Sequence, residues 1–402
     1  MRPLRVLTIG HSYVVRLNRS VAAALARRPG VEVTLAAPSS FHGDQGVIAL
    51  ERGEGEPYAL EPVRSRLSRQ IHVFSYAPAD LEKLIRPGRF DVVHAWEEPY
   101  IVAGWQIGRA AARAGIPFCF RTAQSLVKRY PPPFSWFERA TVARAAGWIA
   151  GGELVFRAMV DKGFPASRGA VITLGVGLDA FRPLSGEAVA AARRKLGLEP
   201  PLIGFLGRLV PQKGLPLLMR ALEQVRPPWS LLLLGQGPMK AEIEDWARRR
   251  GLQSRVRVLA VRHDEVPELL GAMDLLVAPS QTTPRWKEQF GRMLIEAFAC
   301  KVAVLASDSG EIPNVAGDGG RILPERDEAA WVRAISQLLE DPAERARLAE
   351  AGHRRCRERF AADALAERQH QFLLRAAGFA PAEQEGAGRP RPDHVPSAAP
   401  PS

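Results

Sequence analysis

The chain has 402 residues, 46% hydrophobic and 24% charged, which suits two or three globular domains with sizeable cores. Its net charge is +12, and residues 1–180 hold 23 Lys and Arg against 15 Asp and Glu, so most of the excess lies in the first half. No apolar run approaches the ~18–20 residues of a spanning helix, the three distant cysteines (Cys119, Cys300, Cys356) show no metal-ligand spacing, and no nucleic-acid motif stands out.

An odd number of scattered cysteines suits a reducing cytoplasm, as does direct entry into a strand at Met1–Gly10 without a signal-peptide layout. The basic first half is open to two readings: docking on an anionic lipid or acceptor, or a chain that simply uses Arg in place of Lys.

Residues 5–10 (RVLTIG) read as a buried strand, 17–28 as a helix and 31–37 (VEVTLAA) as a second strand, the opening of a doubly wound sheet. The loop His11-Ser12-Tyr13 then lies at the carboxyl end of the first strand, where such sheets bind ligands. Residues 41–70 are Gly- and Arg-rich with weak periodicity and read as an excursion between strands. A strand at 71–74, a helix over 79–86 and a strand over Asp91–His94 follow. A lone His is more often structural, but His94 ends its strand beside Glu97 and Glu98, which raises a ligand-contact reading.

The pattern next predicts a helix over 100–114 and a strand over 117–121. Lys128–Arg139 (KRYPPPFSWFER) starts extended at its prolines, then crowds cations and aromatics at a helix start. It reads either as a loop packing its rings inward or as a surface that meets a membrane-bound acceptor. Strands at 147–150 and 170–174 end the first half, and a linker follows through Pro183 to Pro201.

The second half opens with LIGFLGRLVPQKG, Leu202–Gly214: a buried strand, a Gly-Arg turn, then Lys-Gly before a helix. Arg208 and Lys213 lie five apart across that turn, so both can face one anion, Arg as a fork and Lys as a point charge. No Gly-x-Gly-x-x-Gly follows a first strand, so this is not a dinucleotide fingerprint. Strands at 230–234, 256–260 and 274–278 alternate with helices, and Val261–Asp264 forms a further strand-end loop.

A turn-rich loop, Pro279–Lys287, then leads into EQFGRMLIEAFA, Glu288–Ala299. Apolar residues at 290, 293, 294, 297 and 298 predict a helix starting near Phe290-Gly291. Its leading amides suit a phosphate, and the glycine lets a ligand approach the backbone. Glu288 precedes the helix and Glu296 lies inside it, roughly 12 Å along at helical rise. Two carboxylates flanking an anion site match a ligand built as sugar, diphosphate and ribose. From this stretch alone, a solvated loop charge and a surface helix residue are an equally open reading. Helices are predicted over 327–340, 342–356 and 358–377, and the Pro-, Ala- and Gly-rich residues 379–402 read as a disordered tail.

Glu288 and Glu296 with seven residues between them, Phe290-Gly291 after the first, Ala278-Pro279-Ser280 before and Gly310-Glu311-Ile312-Pro313 after, resemble the signature of retaining glycosyltransferases of family 4. Gly207-Arg208 with Lys213-Gly214 is similar to that family's diphosphate clamp. The His94 segment resembles its first-domain His-x-His, with Trp96 replacing the second histidine. Lys301 stands where members usually have glycine, and HSYVVRLN where they often have a glycine-rich loop.

The resemblance spans about residues 1–375 and implies an α/β chain of GT-B fold, two doubly wound Rossmann-like domains facing a cleft. Residues 1–182 would form the acceptor side and 183–357 the nucleotide-sugar side, with a helix over 358–378 crossing back to the first domain. The implied activity is transfer of a sugar from a nucleoside-diphosphate sugar to an acceptor hydroxyl with retention, in synthesis of a cell-surface polysaccharide or glycolipid. Arg208, Lys213 and the backbone at Phe290, Gly291, Arg292 and Met293 would hold the diphosphate, and Glu296 the ribose. Glu288 would hold donor-sugar hydroxyls near the anomeric carbon. His94 would face the sugar from the other domain, with Glu97 or Glu98 sharing that work. No cofactor and no catalytic metal are expected, as no Asp-x-Asp pair occurs. The expected partners are a nucleotide-sugar donor, a lipid-linked or polysaccharide acceptor and the inner face of the membrane as a peripheral contact, not nucleic acid. Two other classes stay open: an epimerase or phosphorylase on the same fold, and a non-catalytic membrane-associated partner.

Overall fold

The computed structural model describes residues 2–43 and 46–379, so the expected tail, from residue 380 on, lies outside the described residues. The chain opens with β1 (Leu4–Ile9), α1 (Ser20–Ala26) and β2 (Val31–Pro38). A hairpin of β3 (Ser40–Gly43) and β4 (Gly46–Ala49), then β5 (Ala59–Val63) and a short pair, β6 (Ser65–Arg66) and β7 (Ser75–Tyr76), come next. After them run α2 (Pro78–Leu84), β8 (Val92–Ala95), α3 (Val102–Arg113), β9 (Phe118–Thr122), α4 (Phe134–Arg144), β10 (Gly147–Ala150), α5 (Glu153–Asp161) and β11 (Gly169–Val171). Seven strands pair in parallel in the order β11-β10-β9-β8-β1-β2-β5. Helices cover both faces, so the central strands are buried and mostly apolar, with Thr8, His94 and Arg121 among the buried polar exceptions. In β1, Leu7 and Ile9 join one core with Phe74 and Val93, and Leu4 and Val6 join the other with Leu25.

The second half runs α6 (Gly186–Leu196), β12 (Leu202–Leu206), α7 (Leu215–Gln224), β13 (Ser230–Leu234), α8 (Lys240–Arg249), β14 (Val256–Leu259) and α9 (Val266–Gly271). It continues with β15 (Leu275–Ala278), α10 (Arg292–Ala299), β16 (Ala303–Ser307), α11 (Ile312–Ala316), β17 (Arg321–Leu323), α12 (Glu328–Glu340) and α13 (Pro342–Arg355). Six of its strands form a second parallel sheet, β14-β13-β12-β15-β16-β17.

Each sheet reverses its winding beside its first strand, between β1 and β8 in one and between β12 and β15 in the other. Ligands of doubly wound sheets bind outside the carboxyl ends of the strands at such reversals. That places His11–Val14 and Trp96–Glu98 at one crevice, and Gly207–Lys213 and Pro279–Phe290 at the other.

The chain passes between the halves twice, and the two passages are zipped together. Val176 N donates to Phe360 O at 2.9 Å, and Ala362 N to Val176 O at 3.0 Å. A π-helical turn, Cys356–Phe360, leads into α14 (Ala362–Ala376). Leu365, Ala366 and Leu373 of α14 bury themselves with Val21, Leu25 and Leu35 of the first half. The crossing helix therefore begins four residues later than the sequence suggests, after the turn.

Other differences have local causes. Part of the expected excursion, β5, is an edge strand of the first sheet, and its half-exposed faces blur the apolar pattern. Residues 71–74 turn rather than extend, and pairing comes at Ser75–Tyr76. Lys301 sits at φ +59°, just past the end of α10, a left-handed position that favours glycine, and its ammonium meets Glu350 at 2.6 Å. Among the described residues no helix is long and apolar enough to cross a membrane.

Candidate active site

The second-sheet crevice is built by three loops. The strand β12 ends in Gly207, and the chain turns through Arg208 to Lys213 before α7. Gly214, at φ +76°, lets this turn press against the loop after β15: a Cβ there would lie 1.7 Å from Pro279 O. Gly214→Ala is expected to destabilise the protein by roughly 3 kcal/mol, from overpacking plus backbone strain. Thermal unfolding checks it, and an unchanged melting temperature would mean that the loops do not pack this closely.

In this crevice Lys213 Nζ meets Glu288 Oε2 at 2.6 Å and lies 5.3 Å from the centre of the Trp286 ring. Ser280 Oγ donates to the same Glu288 oxygen at 2.9 Å. The α10 helix begins at Arg292 with Gly291 as its N-cap at φ +82°, and no side chain caps it. The Leu294 amide bonds back to Gly291 O at 2.9 Å, and the amides of Arg292 and Met293 at this terminus suit an anion. Arg292 Nε donates to Glu296 Oε1 at 2.7 Å. Glu296 is buried, which raises its carboxyl pKa, and Arg292 opposes that shift.

Arg208, Lys213, Trp286, Glu288, Gln289, Arg292, Met293 and Glu296 line one cavity of about 330 Å³. Glu288, Gln289, Phe290, Gly291 and Arg292 also line a neighbouring cavity of about 400 Å³, whose other wall belongs to the first sheet. The expected second-domain residues are therefore brought together, and they open onto the opposite domain. The halves also touch there directly. Arg292 hydrogen-bonds Asn18, and the Glu311 carboxylate accepts from the Glu153 and Leu154 amides at 2.8 and 2.9 Å, at the start of α5. Val261–Asp264 line a third cleft of about 720 Å³ with Arg16, Leu17 and residues 51–54, and His263 is near enough to Glu296 to act on its charge.

His94 departs from the expectation for it. Its side chain is 1% exposed and is not part of the cleft wall. It pairs in register with Thr8, and its Nδ1 lies 3.0 Å from Thr8 Oγ1. Burial, aided by the Arg121 charge, pushes its pKa down to about 3, so the ring is neutral. The first-half residues that do reach the cleft include His11, Ser12, Asn18, Trp96, Glu97, Glu98 and Arg121. Of these the sequence singled out Glu97 and Glu98, and it placed the His11 loop at the right edge. Arg121 was missed, although a cation ending an apolar strand at the ligand edge was a usable signal.

Glu97 is held by the His11 amide at 2.7 Å, His11 Nδ1 at 2.7 Å and the Tyr76 hydroxyl at 2.8 Å. For His11, burial works against protonation, but the Glu97 charge and hydrogen bond outweigh it and leave the pKa raised. Glu98 accepts from Thr122 Oγ1 and the Ala123 amide, both at 2.7 Å, yet burial still lifts its pKa to about 7. A carboxyl raised from 4.5 to about 7 contributes stability that is present below pH 4.5 and is lost as pH rises through 7. Discounted for partial exposure to the cleft, the loss is roughly 2 kcal/mol. Glu98→Gln should flatten that part of the stability profile between pH 5 and pH 8 by about this amount, read by denaturant titration. An unchanged slope would mean that Glu98 titrates normally.

Two family profiles match the chain: one described as "Glycosyl transferases group 1" over residues 189–355, the other as "Glycosyltransferase Family 4" over residues 14–180. A D-inositol 3-phosphate glycosyltransferase of Stackebrandtia nassauensis is 30% identical over 375 residues, covering 84% of this chain and 80% of the relative. An alpha-maltose-1-phosphate synthase of Mycolicibacterium smegmatis is 31% identical over 253 residues, 58% of this chain and 64% of the relative. Among solved structures, Anabaena HepE in complex with UDP-glucose superposes with a TM-score of 0.70 at 21% identity, covering 92% of this chain and 99% of that one. A Rickettsia africae glycosyltransferase gives 0.72 at 16% identity, with 94% and 99% covered.

Proposed function

The chain belongs to the family 4 glycosyltransferases and has their GT-B fold, and from that premise we propose how it divides the work of sugar transfer. Residues 1–182 form the acceptor side, 183–357 the donor side, and 358–378 the strap between them. The donor is a nucleoside-diphosphate sugar. A UDP-sugar is the first class to try, since the similarly folded HepE was crystallised with UDP and with UDP-glucose.

Arg208, Lys213 and the α10 amides at Arg292 and Met293 take the diphosphate, Glu296 takes the ribose hydroxyls, and Val261–Asp264 face the base. Glu288 holds hydroxyls of the donor sugar and offsets positive character at the anomeric carbon. The bond from that carbon to the diphosphate oxygen breaks, an acceptor hydroxyl oxygen bonds it from the same face, and the hydroxyl proton leaves with the diphosphate. Charge growing on the leaving group is met by two cations and a helix terminus already in place. No metal is part of this scheme. The first-domain wall, with His11, Glu97 and Glu98 rather than His94, orients the acceptor.

We also propose a cell-surface polysaccharide or glycolipid as product and a membrane face on the first domain. In the basic stretch 128–139, Tyr130 stacks on Tyr100, and Phe134 and Phe137 pack inward. Trp136 and Val127 stay outside, 58% and 53% exposed.

The single observation behind the reading is the cavity that gathers Arg208, Lys213, the start of α10 and Glu296, and that shares Glu288 and Arg292 with the first-domain cavity. The test is a panel of UDP-, GDP- and ADP-sugars, scored by nucleotide release. Acceptors are a membrane extract and myo-inositol phosphates, the latter because of the relatives' names. Acceptor-dependent release of one nucleotide, with an α-linked product from an α-linked donor, is expected. Net release without an acceptor would favour a hydrolase, conversion of the donor to an epimeric nucleotide sugar without net release would favour an epimerase, and a β-linked product would defeat retention.

A further inference from the structure

The first-domain wall of the cleft contains a charge that the transfer scheme does not use. Arg121 is the penultimate residue of β9 and is 6% exposed, yet it lines the 400 Å³ cavity. Among the described residues it makes no salt bridge, its Nη2 has no hydrogen-bond partner, and the Glu98 charge acts on it only without a direct contact. The Trp96 ring covers one side of the guanidinium at 4.7 Å. The carboxylates around it are engaged elsewhere: Glu97 by His11 and Tyr76, Glu98 by Thr122 and Ala123. Ser12 Oγ, in the wall of the same cavity, is also buried without a partner.

An arginine does not shed its proton near neutrality, and a buried guanidinium with no carboxylate bonded to it is costly to leave uncompensated. Burial lowers the Arg121 pKa to about 10, which still leaves it charged at neutral pH. A neutral sugar hydroxyl would not offset that charge, whereas an oxyanion facing the guanidinium fork would. The donor's diphosphate is not the natural candidate, because its two cations, Arg208 and Lys213, line the second-sheet cavity and not this one, although Arg292 at the start of α10 borders both. We propose that Arg121 and Ser12 form an oxyanion subsite on the acceptor side, so that the acceptor carries a phosphate or carboxylate near the hydroxyl that receives the sugar. This deepens the transfer reading above and rests on it.

The test is calorimetry on the full chain saturated with UDP. The probes are myo-inositol 1-phosphate, glucose 6-phosphate and glucuronate, set against myo-inositol, glucose and inorganic phosphate. Wild type should bind the anionic polyols at least about tenfold more tightly than the neutral ones. Arg121→Met should remove that preference, a loss of about 30-fold or more, with UDP affinity changed less than about threefold. Ser12→Ala should cost the anionic probes about fivefold.

Equal binding of anionic and neutral polyols by wild type would overturn the proposal, and that comparison needs no variant to fold. A preference that survives Arg121→Met would overturn it too. Loss of UDP binding in that variant with the polyol preference intact would move Arg121 to the donor. Inorganic phosphate binding as tightly as the phosphorylated polyols would make free phosphate the occupant and end the acceptor assignment. Wild type that binds none of UDP, GDP and ADP would overturn the transfer reading and this inference with it, whereas nucleotide uptake without anion preference counts against Arg121 alone.

Discussion

Glu288→Gln is expected to lower kcat by about 10²- to 10³-fold while UDP affinity stays within about threefold. The carboxylate is 7% exposed and sits where the two cavities meet. Lys213 and Ser280 both contact its Oε2. In the proposed complex Lys213 turns to the diphosphate, and the Glu288 charge is then directed at the donor sugar. An amide keeps the shape and can keep the Ser280 contact, but it removes the charge that offsets the anomeric carbon. The loss should therefore fall on kcat. A purely structural Glu288, serving only as counter-ion to Lys213, would behave differently: the melting temperature would drop and UDP binding would fall with it. Steady-state kinetics beside calorimetry separates the two, and normal turnover in Glu288→Gln would remove the residue from the mechanism.

Lys213→Met should weaken UDP binding by about 10- to 100-fold and reduce kcat by about 10²-fold, because the ammonium is charged with both holding the diphosphate and stabilising its departure. Uridine, which lacks the phosphates, should bind the variant as it binds wild type. The substitution also strands Glu288, buried and held among side chains by Ser280, at a cost of about 1–3 kcal/mol in stability. Lys213→Met combined with Glu288→Gln should recover most of that stability without recovering UDP affinity. Such a split would show that the cation acts on the ligand and not merely on its neighbour. If UDP affinity returned in the double variant, the Lys213 effect would be structural.

Much of this architecture was legible because strand and helix periods alternate cleanly in both halves. The inner strands of the second sheet, such as β12, β13 and β15, are short apolar runs closed by turn residues, and the helix expected from Phe290-Gly291 begins at Arg292 with Gly291 as its cap. The expected diphosphate cations and the flanking carboxylates are local to two loops, so their spacing carried them to one cavity. The first half was harder for physical reasons. The edge strand β5, with buried and exposed positions mixed, lacks the pattern of a covered strand. At the end of β8, spacing alone could not say which side chain faces the cleft. His94 still belongs to the sheet and turns to Thr8, while Glu97 and Glu98, past the strand end, reach the opening. Arg121 shows the same limit from the other side: its importance lies in what does not pair with it, which spacing cannot reveal. The meaning of Lys301 also waited for the backbone, since only its positive φ explains why a glycine suits that position.

The claim on which the rest depends is that Arg208, Lys213 and the leading amides of α10 converge on one diphosphate. Its most direct test is calorimetric titration of UDP and of uridine into wild type and into the Arg208→Met/Lys213→Met double variant. Wild type should prefer UDP by about 10³-fold, and the double variant should lose most of that preference while its affinity for uridine holds. Equal affinities for UDP and uridine in wild type, or a preference that survives the loss of both cations, would contradict the account.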